Sequence, residues 1–258
     1  MNIINRSVII FTSLILFNQA NANGSAAISI GAKAVPVHSS LRPENLGEHS
    51  YEQIRNILEI ESRVQTVSEA IDLKTQGLNY VNNISEFEYL TSCPFSNPSS
   101  AYLEAVGNFI SQYVERYVNS TYDLRVLSIL EGRSTLVEQA MNIKRVGLRV
   151  ATDIQAFLTL IPPAVANPSD AYNDAISAFV GDNVRYSLNY YSPIYMIVEA
   201  ERYTKYVDHA LNVKRAGLVA VHYQRDLMEL ARLAFPNPSD AYRQAVDNFL
   251  RENIGRYP

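Results

Sequence analysis

Asn97-Pro98-Ser99-Ser100-Ala101-Tyr102 returns as Asn167-Pro168-Ser169-Asp170-Ala171-Tyr172 and again as Asn237-Pro238-Ser239-Asp240-Ala241-Tyr242, 70 residues later each time. A second element keeps the same register. Asp72-Leu73-Lys74-Thr75-Gln76-Gly77-Leu78 is followed by Asn142-Ile143-Lys144-Arg145-Val146-Gly147-Leu148 and by Asn212-Val213-Lys214-Arg215-Ala216-Gly217-Leu218. Two markers in one gap-free register predict that each 70-residue stretch builds one supersecondary piece stacked on near-copies of itself.

Asn-Pro-Ser reads as a helix start, with Asn as the N-cap, Pro at the first helical position and an acid three residues past the cap in the later copies. Behind it Tyr102, Ala105, Val106, Phe109, Ile110 and Val114 fall at i, i+3, i+4, i+7 spacing, and residues 172–184 and 242–254 repeat the pattern. This is helix A, about 20 residues long. The rest of each unit, near 51–90, 121–161 and 192–235, carries a second apolar stripe, helix B. Its phase passes through Gly77, Gly147 and Gly217 with little slip. A continuous helix of about 40 residues is therefore expected, with the glycines marking close helix–helix approach; a break at a glycine C-cap is the alternative. Alternating strand patterns and hairpin turns are nearly absent. The expected fold is all-α: tandem repeats of one short and one long helix, stacked as an elongated bundle or solenoid.

The ends differ from the repeats. Met1 to Ala22 carries one basic residue, an apolar run of about ten residues and Ala20-Asn21-Ala22, the form of a cleaved secretory signal peptide too short to span a bilayer. A secreted or periplasmic protein follows, with a flexible leader over 23–49 and a helical repeat domain over 50–258. That domain divides into a truncated unit 50–96, units 97–166 and 167–236, and a terminal half-unit 237–258. A terminal A helix and a first unit lacking its A together suggest head-to-tail assembly. Removing Met1–Ala22 takes one basic residue and no acid, changing the net charge from −4 to −5. Mild acidity argues against nucleic acid, which asks for a basic face. With Cys93 alone no internal disulfide can form, so the core must hold the fold, and a buried or inert thiol is expected there.

Charges recur on the inward stripe: Glu61, Glu131 and Glu201 at one repeat position, Lys74, Lys144 and Lys214 at another 13 residues on. Thirteen helical residues span about 20 Å, so on a continuous helix the two cannot touch. Pairing between antiparallel B helices would let them set register. The four histidines form no metal-ligand spacing, and no nucleophile elbow or phosphate loop is present. No catalytic, metal or cofactor residue is therefore assigned. The chain has 17 tyrosines and no tryptophan. Tyr186, Tyr190, Tyr191, Tyr195, Tyr203 and Tyr206 crowd one A-to-B junction and form the candidate interface, because tyrosine offers apolar area with a polar tip. The expected function is binding or scaffolding, toward a protein partner or a second copy. A carrier holding an apolar small molecule between the long helices is the alternative.

Overall fold

The computed structural model describes residues 46–165 and 167–258, and these belong to a single packed unit. The signal peptide and residues 23–45 of the leader lie outside the described residues. All regular structure among those described is helical. The α-helices are α1 (Leu46–Glu61), α2 (Val67–Gly77), α3 (Ile84–Leu90), α4 (Ser100–Tyr113), α5 (Leu124–Glu131), α6 (Val137–Leu148), α7 (Ile154–Leu160), α8 (Asp170–Asn183), α9 (Ile194–Glu201), α10 (Val207–Gly217), α11 (Gln224–Leu230) and α12 (Asp240–Asn253). Because α1 begins at Leu46, the leader ends earlier than residue 49.

Helix A is α4, α8 and α12, each prolonged by a 3-10 turn. Its cap is the serine, two residues later than the sequence suggested. Ser99, Ser169 and Ser239 are extended, and each Oγ accepts the N–H of the tyrosine three residues on, at 3.2 Å. The proline before the cap fixes the approach of the chain rather than the first turn.

The continuous helix B is not what forms. In each unit it is three helices: α1, α2 and α3, then α5, α6 and α7, then α9, α10 and α11. The first break falls just past Glu61, where Thr66 and Glu69 restart the chain with a reciprocal capping box. The second falls after Gly77, where a 3-10 turn leads to Val81 and Asn83 caps α3. Gly77, Gly147 and Gly217 are glycine because of packing, since no residue has positive φ among those described. A Cβ on Gly77 would lie 2.5 Å from Leu90 Cδ1, on Gly147 2.6 Å from Leu160 Cδ1, and on Gly217 2.8 Å from Leu230 Cδ1.

Two layers result. α2, α4, α6, α8, α10 and α12 pack in succession as one, and α1, α3, α5, α7, α9 and α11 as the other. Helices of the first layer run parallel: Gly107 of α4 lies at Gln139 of α6, Ser111 at Asn142, and Glu115 at Arg149. Between the layers Phe87 stacks on Phe109 and, one repeat on, Phe157 on Phe179. Leu90, Ile110, Leu127, Leu130, Phe157, Val180, Ile197 and Leu230 are among the side chains sealed in this core.

Candidate functional site

The repeated charges meet, though not across units. Because the chain turns back between them, Glu61 at the end of α1 and Lys74 in α2 face each other within their own unit at 2.9 Å. Glu131 and Lys144 do so at 2.9 Å, and Glu201 and Lys214 at 2.8 Å. The distance of about 20 Å expected along one helix fails because there are two. Each ammonium also bonds the last carbonyls of the third helix. Lys74 Nζ donates to Leu90 O and Ser92 O, Lys144 Nζ to Leu160 O, Ile161 O and Pro162 O, and Lys214 Nζ to Leu230 O and Arg232 O. Carbonyls at a helix end have no partner of their own, and a cation there also meets the negative end of the helix dipole.

The following A helix completes each group. Tyr102 Oη donates to Glu61 Oε1 at 2.7 Å, and Tyr172 and Tyr242 do the same to Glu131 and Glu201. Four helices are thus tied at one point, buried on every side. Sequence reasoning placed these tyrosines on the apolar face and missed the hydroxyl. The available signal was tyrosine in all three copies where phenylalanine would fill the same space.

Burial pushes the carboxyls of Glu61 and Glu201 above their ordinary range, and the ammoniums of Lys74, Lys144 and Lys214 below theirs, each against the pull of its partner. Burial first, and the neighbouring carboxylate second, raise the hydroxyls of Tyr102, Tyr172 and Tyr242 far above the usual phenol value. A phenol whose folded pKa is raised holds its proton more tightly in the native state. Its contribution to stability is therefore full below about pH 10, the unfolded value, and is lost as pH rises beyond it. Ultraviolet titration should show these three tyrosines ionising only with alkaline unfolding. Replacing all three by phenylalanine should flatten the fall of stability above about pH 10.

The six candidate tyrosines do not form one patch. Tyr186, Tyr190 and Tyr191 lie on the edge where the first-layer helices end. There His222 Nε2 donates to Tyr190 O at 2.9 Å and its ring sits 3.8 Å from that of Tyr190. Tyr191 meets Tyr190 edge-on at 5.2 Å. Ser187 Oγ bonds Ala151 O, and Gln224 N–H bonds Pro258 O, so the loops along this edge are stitched together. Tyr195 instead faces a cleft of about 180 Å³ between α9 and α11, with Glu199, Arg202, Glu229 and Arg232. Tyr203 packs against the core, and Tyr206 lies at the opposite edge, its ring 5.5 Å from that of His209. Tyr122 and Tyr223, exposed on loops of the first edge, were not anticipated.

Near Tyr206 the repeat pattern breaks. Ser177 Oγ is 2.8 Å from His209 Nδ1, and Lys205 pairs with Asp174 at 2.8 Å. This is not a nucleophile and its base. Ser177 is fully buried and its Oγ also accepts the Lys205 N–H at 2.6 Å, so the pair seats α10 against α8. Among the described residues no three His, Cys, Asp or Glu side chains gather as metal ligands. Cys93 is exposed, not buried, and its Sγ approaches Phe95 O at 3.5 Å.

No family model, no curated protein and no solved structure matches this chain.

Proposed function

We propose that this is an exported, non-enzymatic helical repeat protein whose units stack as a solenoid and whose tyrosine-bearing loop edge binds a protein partner. The carrying observation is Tyr191. It is 87 % exposed on a loop that is itself fixed, since Asn189 Oδ1 accepts the Tyr191 N–H at 2.8 Å and Ser192 Oγ the Asn189 N–H at 2.9 Å. A large aromatic ring held out to solvent by an ordered loop loses little entropy on binding, which is how interface anchors work. Tyr, Asn and Ser are also the residues that adaptable binding loops favour.

An apolar small-molecule carrier is less well supported. The space beside the B-helix glycines is filled by leucine: a Cβ on Gly77, Gly147 or Gly217 would run into Leu90, Leu160 or Leu230. The cleft of about 140 Å³ beside Val67 and Phe95 is smaller than the roughly 300 Å³ at which ligand pockets begin, and the larger grooves, of about 390 and 460 Å³, are lined mainly by charged and amide side chains.

Cross-linking the mature protein in its exported fraction tests the proposal. A partner captured by the wild type should be lost at least tenfold in the Tyr190→Ala, Tyr191→Ala double variant, as expected for anchors worth 2 kcal/mol or more, and kept in Tyr195→Ala. Equal capture by all three proteins would refute an interface on this edge.

A further inference from the structure

The first layer carries a groove between each A helix and the B helix that follows, and the two interior grooves differ in charge. Between α4 and α6 the groove is internally neutralised. Glu115 pairs with Arg149 across it, and Arg145 donates to Asn142 Oδ1 at 2.6 Å. Between α8 and α10 the equivalent positions are rewritten: Arg185 stands where Glu115 was, and Val219 where Arg149 was. The ion pair is gone and its acidic member has become basic.

This second groove has a volume of about 460 Å³. Its floor is Gly181 and Ala216, and around it stand Asp182, Arg185, Asn212 and Arg215. The Arg215 guanidinium makes no ion pair or hydrogen bond among the described residues. Arg185 is held in place from one side, donating to Tyr186 Oη at 2.6 Å with its guanidinium 4.7 Å above that ring. An arginine has five N–H donors in a fixed fork, so most of those on Arg185 remain available. A cation in the last turn of α10 would answer the helix dipole, which accounts for Arg215. Arg185, in the 3-10 turn that prolongs α8, can answer a dipole too, but the dipole does not account for the exchange of Glu115 for arginine at this position, since the same turn in the other unit carries the acid.

We propose that this groove receives one carboxylate side chain, an Asp or Glu of the partner that lies on the tyrosine edge. The proposal rests on that partner being a protein. Two guanidiniums against Asp182 leave one surplus positive charge, which matches a single carboxylate and not a densely charged polymer. The fork geometry of arginine takes a carboxylate through two parallel hydrogen bonds. Continuity is direct: Arg185 holds Tyr186, which belongs to the edge that carries Tyr190 and Tyr191.

The test follows the arginine Nε–H signals of the isotope-labelled mature protein by NMR during addition of the blocked tripeptide acetyl-Ala-Glu-Ala-amide, at low ionic strength. Saturable shifts are expected at Arg185 and Arg215 and not at Arg125, which lies on the other layer. Arg215→Gln should weaken the apparent affinity at least tenfold. Tyr191→Ala should leave these shifts unchanged, so failure here and failure of the tyrosine interface are separately visible. Absent or non-saturable shifts, or shifts equal at Arg125, overturn the proposal. Inorganic sulfate binding at least tenfold more tightly than the peptide would overturn the carboxylate assignment in favour of a sulfate or phosphate group.

Discussion

Lys144→Met is expected to cost about 3–5 kcal/mol, a large share of the roughly 5–15 kcal/mol by which folded domains are ordinarily stable. Methionine matches the length of the lysine stem, so little packing is lost. What is lost is the cationic partner of Glu131, which stays buried with the Tyr172 hydroxyl and a long contact from the Ala164 N–H, together with the donor for the carbonyls of Leu160, Ile161 and Pro162. An uncompensated buried charge is the largest single penalty available here. The double variant Glu131→Met, Lys144→Met removes both charges and should regain the part of the loss due to the unpaired carboxylate, while the carbonyls of Leu160, Ile161 and Pro162 and the Tyr172 hydroxyl stay unpartnered. Urea denaturation of the wild type, the single and the double variant measures both. A single variant within 1 kcal/mol of wild type would show that water or a relaxed carboxylate reaches the site.

The second large effect concerns assembly. Restoring interior residues on α12 and α2 should favour head-to-tail association. In α4 and α8 the face that meets the next B helix is built from small residues, Gly107 and Ser111, then Ser177 and Gly181, and a Cβ on Gly107 would lie 2.3 Å from Gln139 Oε1. In α12 the same positions are Asp247 and Arg251, both exposed. On α2, Glu69, Asp72 and Gln76 stand where α6 has Gln139, Asn142 and Val146. Docking α12 on α2 of another copy in the interior register would press Asp247 against Glu69 and break the Thr66 capping box, which alone costs about 1 kcal/mol. Some apolar area would be gained, since Ile254 is 37 % exposed where Val114 and Val184 are sealed. One half-covered isoleucine does not offset two opposed acids at closest approach. The head-to-tail assembly suggested by the half-units would carry this penalty in the interior register. A variant carrying Asp247→Gly, Arg251→Ser, Glu69→Gln and Gln76→Val should associate with rising concentration in native mass spectrometry, while the wild type stays a single chain. Wild-type oligomers that dissolve on mutation of α12 would contradict this.

The helical class and the start of helix A were legible because apolar periodicity and capping are local. The threefold division of B was not. Its apolar phase runs on through the breaks, and only the first unit shows an explicit restart, Thr66 with Glu69; Leu136 and Tyr206 replace the threonine in the other copies. On an unbroken helix Glu61 and Lys74 would lie about 20 Å apart, too far to meet. The tyrosines clustered in sequence were separated in space for the same reason: the short α9 carries Tyr195 and Tyr203 away from the edge that holds Tyr190 and Tyr191. The rewritten groove beside Arg185 could have been found by aligning the units and asking where charge changes sign, since Glu115 and Arg185 are one repeat apart.

The buried locks and the seams between helices carry different information. Every lock is made of the same three residues, so the glutamate and lysine of any unit would accept the tyrosine of any other. The seams are individual: glycine against Gln139, serine against His209, aspartate against nothing. A gene built this way can gain or lose a unit by recombination in register without breaking a lock. What fixes which units can stand next to one another is whether each seam fits.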